Sequence, residues 1–153
     1  MEWLTQLQGQ LIGLDTAPLI YLVEENPNYE DIVDPFFEAL DRDEFRVVTS
    51  VVTLVEVLVY PLRAASAELA QLYREILFDQ DNLATVSVSP RIAELAAHLR
   101  AIHNLRTPDA IQLATAIQEG ALFFLTNDDR LPAMPNLEIL VLDELRNPPN
   151  LRS

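Results

Sequence analysis

The chain contains no lysine and no cysteine, and only three glycines in 153 residues. Without cysteine there is no disulfide, no thiolate nucleophile and no zinc site built on sulfur. Glycine at positions 9, 13 and 120 alone cannot supply the Gly-rich turn of a dinucleotide-binding unit or a P-loop. The opening "MEWLTQLQGQ" lacks a basic stretch followed by an apolar one, and no apolar run approaches the length of a bilayer span. A soluble, cytoplasmic protein without membrane contact is expected.

The missing lysine also makes the charge lopsided. All ten basic residues are arginine, and the net charge is −14. Such a chain is a poor non-specific partner for nucleic acid, because that affinity comes from neutralised phosphates. The excess is local, however: residues 15–56 hold eleven acids against Arg42 and Arg46, whereas residues 57–108 balance five acids with five arginines. One face could still meet a polyanion.

Half of the residues are hydrophobic, enough at this length for one domain with a core spanning about residues 11–142. Apolar runs of strand length occur at 10–14, 45–50, 83–88, 121–125 and 137–142. Between them lie helical patterns at 16–25, 28–43, 50–63, 65–80, 90–104 and 108–119. This alternation predicts an α/β fold with a mainly parallel sheet of about five strands, covered by helices on both faces. The tail "RNPPNLRS" reads as loose.

Four acids stand out by position. Asp15 follows the first strand and Asp128 the fourth, so right-handed crossovers would bring both to one sheet edge, where open parallel sheets bind ligands. Each has an ordinary reading as well, Asp15 as a helix cap and "TNDDRL" as a turn. Asp109 sits in "TPDA", a helix start with Thr107 as N-cap and Pro108 first, where an acid is favoured anyway. Glu56 lies within "SVVTLVEVLVYPL", a helix apolar on nearly every side, with Val52 and Tyr60 on its own face. An isolated buried carboxylate is too costly to persist, so Glu56 requires an arginine partner, a proton or a cation. Taken together the four suggest a carboxylate cluster. Oxygen donors without Cys, and with only His98 and His103 in the chain, favour Mg²⁺ or Mn²⁺ over zinc. Four carboxylates so gathered should repel one another when no cation is bound.

In order and spacing, "LDT" at 14–16, Glu56 in its apolar helix, "LRTPDAIQLATA" at 105–116 and "LTND" at 125–128 resemble the signature of PIN-domain ribonucleases, particularly the VapC-like toxins of toxin–antitoxin pairs. The resemblance runs from about Leu11 to Leu142. It implies a Rossmann-like sheet and a metal-dependent endoribonuclease, with Asp15, Glu56, Asp109 and Asp128 as its acids and Mg²⁺ or Mn²⁺ as cofactor. It further implies Thr126 and Thr16 in supporting roles, an RNA substrate, a small antitoxin partner and a homodimer to which "ELAQLYREILF" (68–78) could contribute. Gln112 falls where many relatives carry His, which argues against a substrate contact there, and Asp129, one past the matching acid, is either a spare acid behind the metal ligands or surface, with surface favoured. Arg106 is the candidate phosphate contact, with neutralisation of Asp109 as the competing role.

Other classes that place an aspartate after the first strand fare worse. Receiver domains and haloacid-dehalogenase-type phosphatases need a site lysine, and the phosphatases a second acid where Ala17 stands. The remaining alternative is a non-catalytic PIN-like binding or scaffold module, against which the four intact acids argue.

Overall fold

A computed structural model describes residues 2–146 of the chain. Its elements run α1 (Glu2–Thr5), β1 (Leu11–Leu14), α2 (Thr16–Val23), α3 (Glu30–Asp41), β2 (Arg46–Ser50), α4 (Val51–Arg63), α5 (Ala67–Phe78), β3 (Leu83–Val86), α6 (Pro90–Ile102), α7 (Thr107–Gln118), β4 (Phe123–Thr126), β5 (Glu138–Val141) and α8 (Leu142–Arg146). The five strands form one sheet in the order β3-β2-β1-β4-β5, and every pairing is parallel. The α/β architecture expected from the alternation of apolar runs and helical patterns is therefore borne out. Among the described residues no helix is long and apolar enough to cross a membrane.

Within the sheet, successive residues feed opposite faces, as the two-residue repeat of a strand requires. Val47, Leu125 and Leu140 belong to one apolar cluster, with Phe36 and Leu40 of α3, Val57 of α4 and Leu77 of α5. Val48 and Phe124 belong to the other, with Ile92 and Leu99 of α6 and Leu113 of α7. Both faces are thus covered, which is why these strands read as continuous apolar runs rather than alternating ones.

Short polar caps begin the helices. Ser50, Ser66 and Ser89 accept from the backbone N–H of Val52, Leu69 and Ile92, fixing the starts of α4, α5 and α6 one residue or more inside some of the expected ranges. One start moves the other way: Thr107 lies within α7, and Arg106 occupies the N-cap position without a side-chain capping bond. Of the tail expected to be loose, Arg146 closes α8 and residues 147–153 lie outside the described part.

The strand order reverses between β1 and β4, which lie side by side. From β1 the chain moves outward through β2 to β3, returns through α6 and α7, and then builds β4 and β5 on the other flank. In parallel sheets this reversal opens the crevice where ligands bind. Here α7 presses its small residues, Ala110, Ala114 and Ala116, onto the sheet, all essentially buried. A Cβ on Gly13 of β1 would stand 2.6 Å from Ala116 Cβ and 2.9 Å from Phe124 Cδ1. Both obstacles are buried in the packed core, so Gly13→Ala should cost about 1–3 kcal/mol by overpacking. Thermal denaturation checks this; an unchanged melting temperature would show that α7 can retreat at no cost.

Candidate active site

Asp15 terminates β1 and caps α2. Its Oδ1 accepts from the Thr16 N–H at 2.8 Å, so the ordinary capping role is realised. Its Oδ2 accepts from the Thr126 hydroxyl at 2.7 Å, across to the end of β4. The backbone joins the same two strand ends, with Asp15 N–H donating to the Leu125 carbonyl at 2.9 Å. Thr126 in turn accepts from the Asp128 N–H at 3.0 Å, so one buried hydroxyl ties both acids to a fixed point. Burial pushes the Asp15 carboxyl above its usual range; the bonds from Thr126 and Thr16 work against that, and the charges of Asp109 and Glu56 add to it.

Glu56 reaches the same place from α4. Its Oε1 accepts from the Thr16 hydroxyl at 2.6 Å, so its partner is a hydroxyl rather than an arginine. The expectation of a helix apolar on nearly every side with Glu56 buried in it is corrected. Glu56 is half-buried, and Val55 and Tyr60 are 67% and 64% exposed. One flank of α4 faces outward, and the hydrophobic letters alone could not separate it from the flank packed on the core.

Beneath Thr16 lies a polar layer that the sequence did not announce. Thr49, Thr53 and Gln112 are each buried to within 3% of full exclusion. The Thr16 proton is committed to Glu56, and that of Thr49 to the Leu14 carbonyl at 2.8 Å. Thr53 therefore gives its own proton to Thr49, 2.8 Å away, and accepts from Gln112 Nε2 at 2.7 Å. The same amide lies 3.5 Å from the Thr16 oxygen. Gln112 is thus a buried brace for the hydroxyl that orients Glu56, which agrees with the argument against a substrate contact there. Thr53 and Glu56, three residues apart on α4, share a face, and that spacing was the available signal; Thr49 reaches the same layer from the end of β2.

Asp109 comes from the first turn of α7 and Asp128 from the loop after β4. The two are not left to repel their neighbours. Arg106 Nε donates to Asp109 Oδ2 at 3.1 Å, and Arg130 Nε to Asp128 Oδ1 at 3.0 Å. Arg130 also closes a turn, its backbone N–H donating to the same Asp128 oxygen at 2.9 Å. Hydrogen bonding from Arg130 holds the Asp128 carboxyl below its usual range against the opposing effect of burial. Of the four carboxylates expected to repel one another, Asp109 and Asp128 each carry a guanidinium, while the charges of Asp109 and Glu56 still act on Asp15. Arg130 was missed; its position two residues after Asp128 is within reach for any turn, but nothing in "NDDR" distinguishes pairing from solvation.

Asp15, Glu56, Asp109 and Asp128 open onto one depression of about 430 Å³, with Arg106, Arg130 and the exposed Asp129 on its rim. Tyr21 forms part of its wall, stacked on Tyr29 with ring centroids 4.2 Å apart, and Asn127 donates to both phenol oxygens at 3.2 and 3.0 Å. The four segments carrying the acids are thus brought together, from strand ends, a helix interior and a helix start. Among the described residues no three Asp, Glu or His side chains meet as a preformed cation site. The donors are nevertheless carboxylate and hydroxyl oxygens, a set suited to hard divalent cations. Asp15, Glu56, Asp109 and Asp128 are the residues that could hold one.

The PIN domain family profile matches residues 12–137, which takes in β1, all four acids and most of the sheet. The chain belongs to the PIN domain family. Solved structures agree with it over most of their length. A toxin–antitoxin complex from Klebsiella pneumoniae contains a chain 25% identical, with a TM-score of 0.63 over 84% of this chain and 95% of that one. VapBC2 from Rickettsia felis, solved bound to a DNA fragment from its promoter, gives 0.63 at 19% identity, over 86% and 98% of the two chains. DNA-bound VapBC from Salmonella typhimurium gives 0.59 at 18%, over 88% and 98%. Among curated proteins no sequence matches. The likeness to VapC-like PIN domains read from "LDT", "LRTPDAIQLATA" and "LTND" is borne out in family and fold.

Proposed function

We propose that this PIN domain is a metal-dependent endoribonuclease and the toxin of a toxin–antitoxin pair. The observation that carries the reading is the convergence of Asp15, Glu56, Asp109 and Asp128 on one open depression at the β1–β4 reversal. Asp15 and Glu56, each oriented by a hydroxyl, and Asp109 and Asp128, each on a displaceable arginine, would hold Mg²⁺ or Mn²⁺. When bound, such cations lower the pKa of an attacking water and offset charge on the attacking and leaving oxygens of a phosphodiester. The protein's part is placement. Thr126 keeps Asp15 and Asp128 at a fixed separation, and Thr16 keeps Glu56 turned into the depression rather than toward solvent. The shape suits a polymer, since the depression is open and its rim carries arginine at two points where a phosphate backbone could lie.

Purified protein should cleave RNA in Mg²⁺ or Mn²⁺ and stop in EDTA. A parent protein that binds RNA yet never cuts it with either cation would favour the alternative of a non-catalytic binding or scaffold module.

The partner follows from surface chemistry and from the Klebsiella complex, which is itself a toxin–antitoxin assembly. A second depression, about 400 Å³, is walled by Glu25, Glu30, Asp34, Glu38 and Asp41 over Leu22, Phe37 and Ile76. Such a surface suits a small antitoxin with a basic segment and an apolar anchor. A homodimer would cover Val55, Tyr60 and Leu62 of α4 with Leu72 and Phe78 of α5, all exposed. Co-expressed with an antitoxin encoded in an adjacent small reading frame, the chain should cease to inhibit growth and purify as a complex whose mass contains two copies. Continued growth arrest without a complex removes the antitoxin, and a single copy removes the dimer.

A further inference from the structure

The two arginines on the rim are disposed unlike ordinary surface ion pairs. In each pair the acid is largely covered and the arginine largely free: side-chain exposure is 16% for Asp109 against 71% for Arg106, and 20% for Asp128 against 82% for Arg130. Each arginine is tethered close in sequence, Arg106 three residues before its acid and Arg130 two after. The pairs also feel one another, Arg106 being close enough to Arg130 for mutual repulsion and Arg130 close enough to Asp109 for attraction. Both pairs therefore border the same depression.

Such pairs hold weakly, because water competes for the exposed guanidinium. A divalent cation offers Asp109 and Asp128 twice the charge at shorter range, with no side-chain entropy to lose. The guanidinium it displaces cannot leave, being fixed to the rim by its own backbone. It is left with its donors unfilled and its planar fork turned toward solvent, a geometry that matches a phosphate oxygen pair. The exchange also answers the problem posed by a net charge of −14, since positive charge becomes available only where and when a polyanion must approach.

We propose that Arg106 and Arg130 are exchangeable counter-ions: they neutralise Asp109 and Asp128 in the metal-free site and pass to the RNA backbone once a divalent cation takes those carboxylates. This rests on the metal-dependent ribonuclease reading above. It differs from permanent neutralisation, in which the arginines would stay on the acids, and from a fixed phosphate clamp, in which they would bind RNA with or without metal.

The test uses the full chain, Mn²⁺ as the cation and a fully phosphorothioate single-stranded RNA, which keeps its charge and resists cleavage. Mn²⁺ binding without RNA is read from the paramagnetic resonance of the free ion, and RNA binding from fluorescence anisotropy across a salt series. Arg106→Gln and Arg130→Gln should bind Mn²⁺ at least as tightly as the parent, and the double variant severalfold more tightly, because a competitor has been removed. With Mn²⁺ present, each single variant should bind RNA several-fold more weakly, and the slope of log affinity against log salt should fall by about one. Without Mn²⁺, parent and variants should bind RNA equally weakly. Variants that lose Mn²⁺ binding, or that keep the parent's RNA affinity and salt slope in Mn²⁺, overturn the exchange while leaving the nuclease standing. A parent that binds no Mn²⁺ overturns both.

Discussion

Converting any one of Asp15, Glu56, Asp109 or Asp128 to its amide should lower RNA cleavage by roughly 10–100-fold or more, the range seen when a metal ligand's surroundings are disturbed. The four should not be equal in their side effects. Asp109→Asn and Asp128→Asn leave an exposed arginine without a partner, which water satisfies at once, so their melting temperatures should stay near the parent's. Glu56→Gln retains an oxygen for the Thr16 hydroxyl. Loss of activity with intact melting therefore points to chemistry rather than folding. Cleavage by the Asp109→Asn protein at the parent's rate, in a preparation free of other nucleases, would remove that residue from the active site.

The second large effect is on stability, and its sign depends on metal. Asp15 is pressed between the ends of β1 and β4, and burial raises its carboxyl above the ordinary value of 3.8. A group raised on folding contributes its full share of stability below the unfolded value and loses it as pH rises through the folded one. At neutral pH in EDTA, ionised Asp15 is therefore a burden to the fold that Asp15→Asn removes. The variant should melt higher than the parent, each kcal/mol relieved appearing as about 2–4 °C in a domain of this size. Its advantage should shrink as pH falls through the raised folded value toward the unfolded one, as Asp15 in the parent becomes neutral, and be gone below about 4. Excess Mn²⁺ should reverse the order by stabilising the parent more than the variant. A variant that melts lower than the parent in EDTA at neutral pH would show that the bonds from Thr16 and Thr126 outweigh burial.

Those two effects separate what could be read from the letters from what could not. The sheet was legible because strands covered on both faces leave unbroken apolar runs such as "ALFFL" and "LEILVL", and Asp15 and Asp128 were legible because each follows such a run. The α1 and α8 turns were not, being four and five residues long, too short to show a helical period. Glu56 was found for a partly mistaken reason, since an apolar helix need not be a buried one. The Thr49–Thr53–Gln112 brace and Arg130 escaped because their meaning lies in pairings across 59 to 63 residues, or in a choice between acid and water that no local pattern encodes.

The reversal of strand order at β1 has one more consequence, and it concerns synthesis. Asp15 is made early, but its neighbour strand β4 and the hydroxyl of Thr126 come only after the whole of α6 and α7. Until then β1 has one free edge, and the side of the depression formed by Asp128 and Arg130 does not exist. An emerging chain can pack α2 to α5 on β1–β3 without ever presenting a complete constellation of acids. If the proposed ribonuclease activity holds, the chain would pass most of its time on the ribosome unarmed and acquire its full set of carboxylates only with the fourth strand.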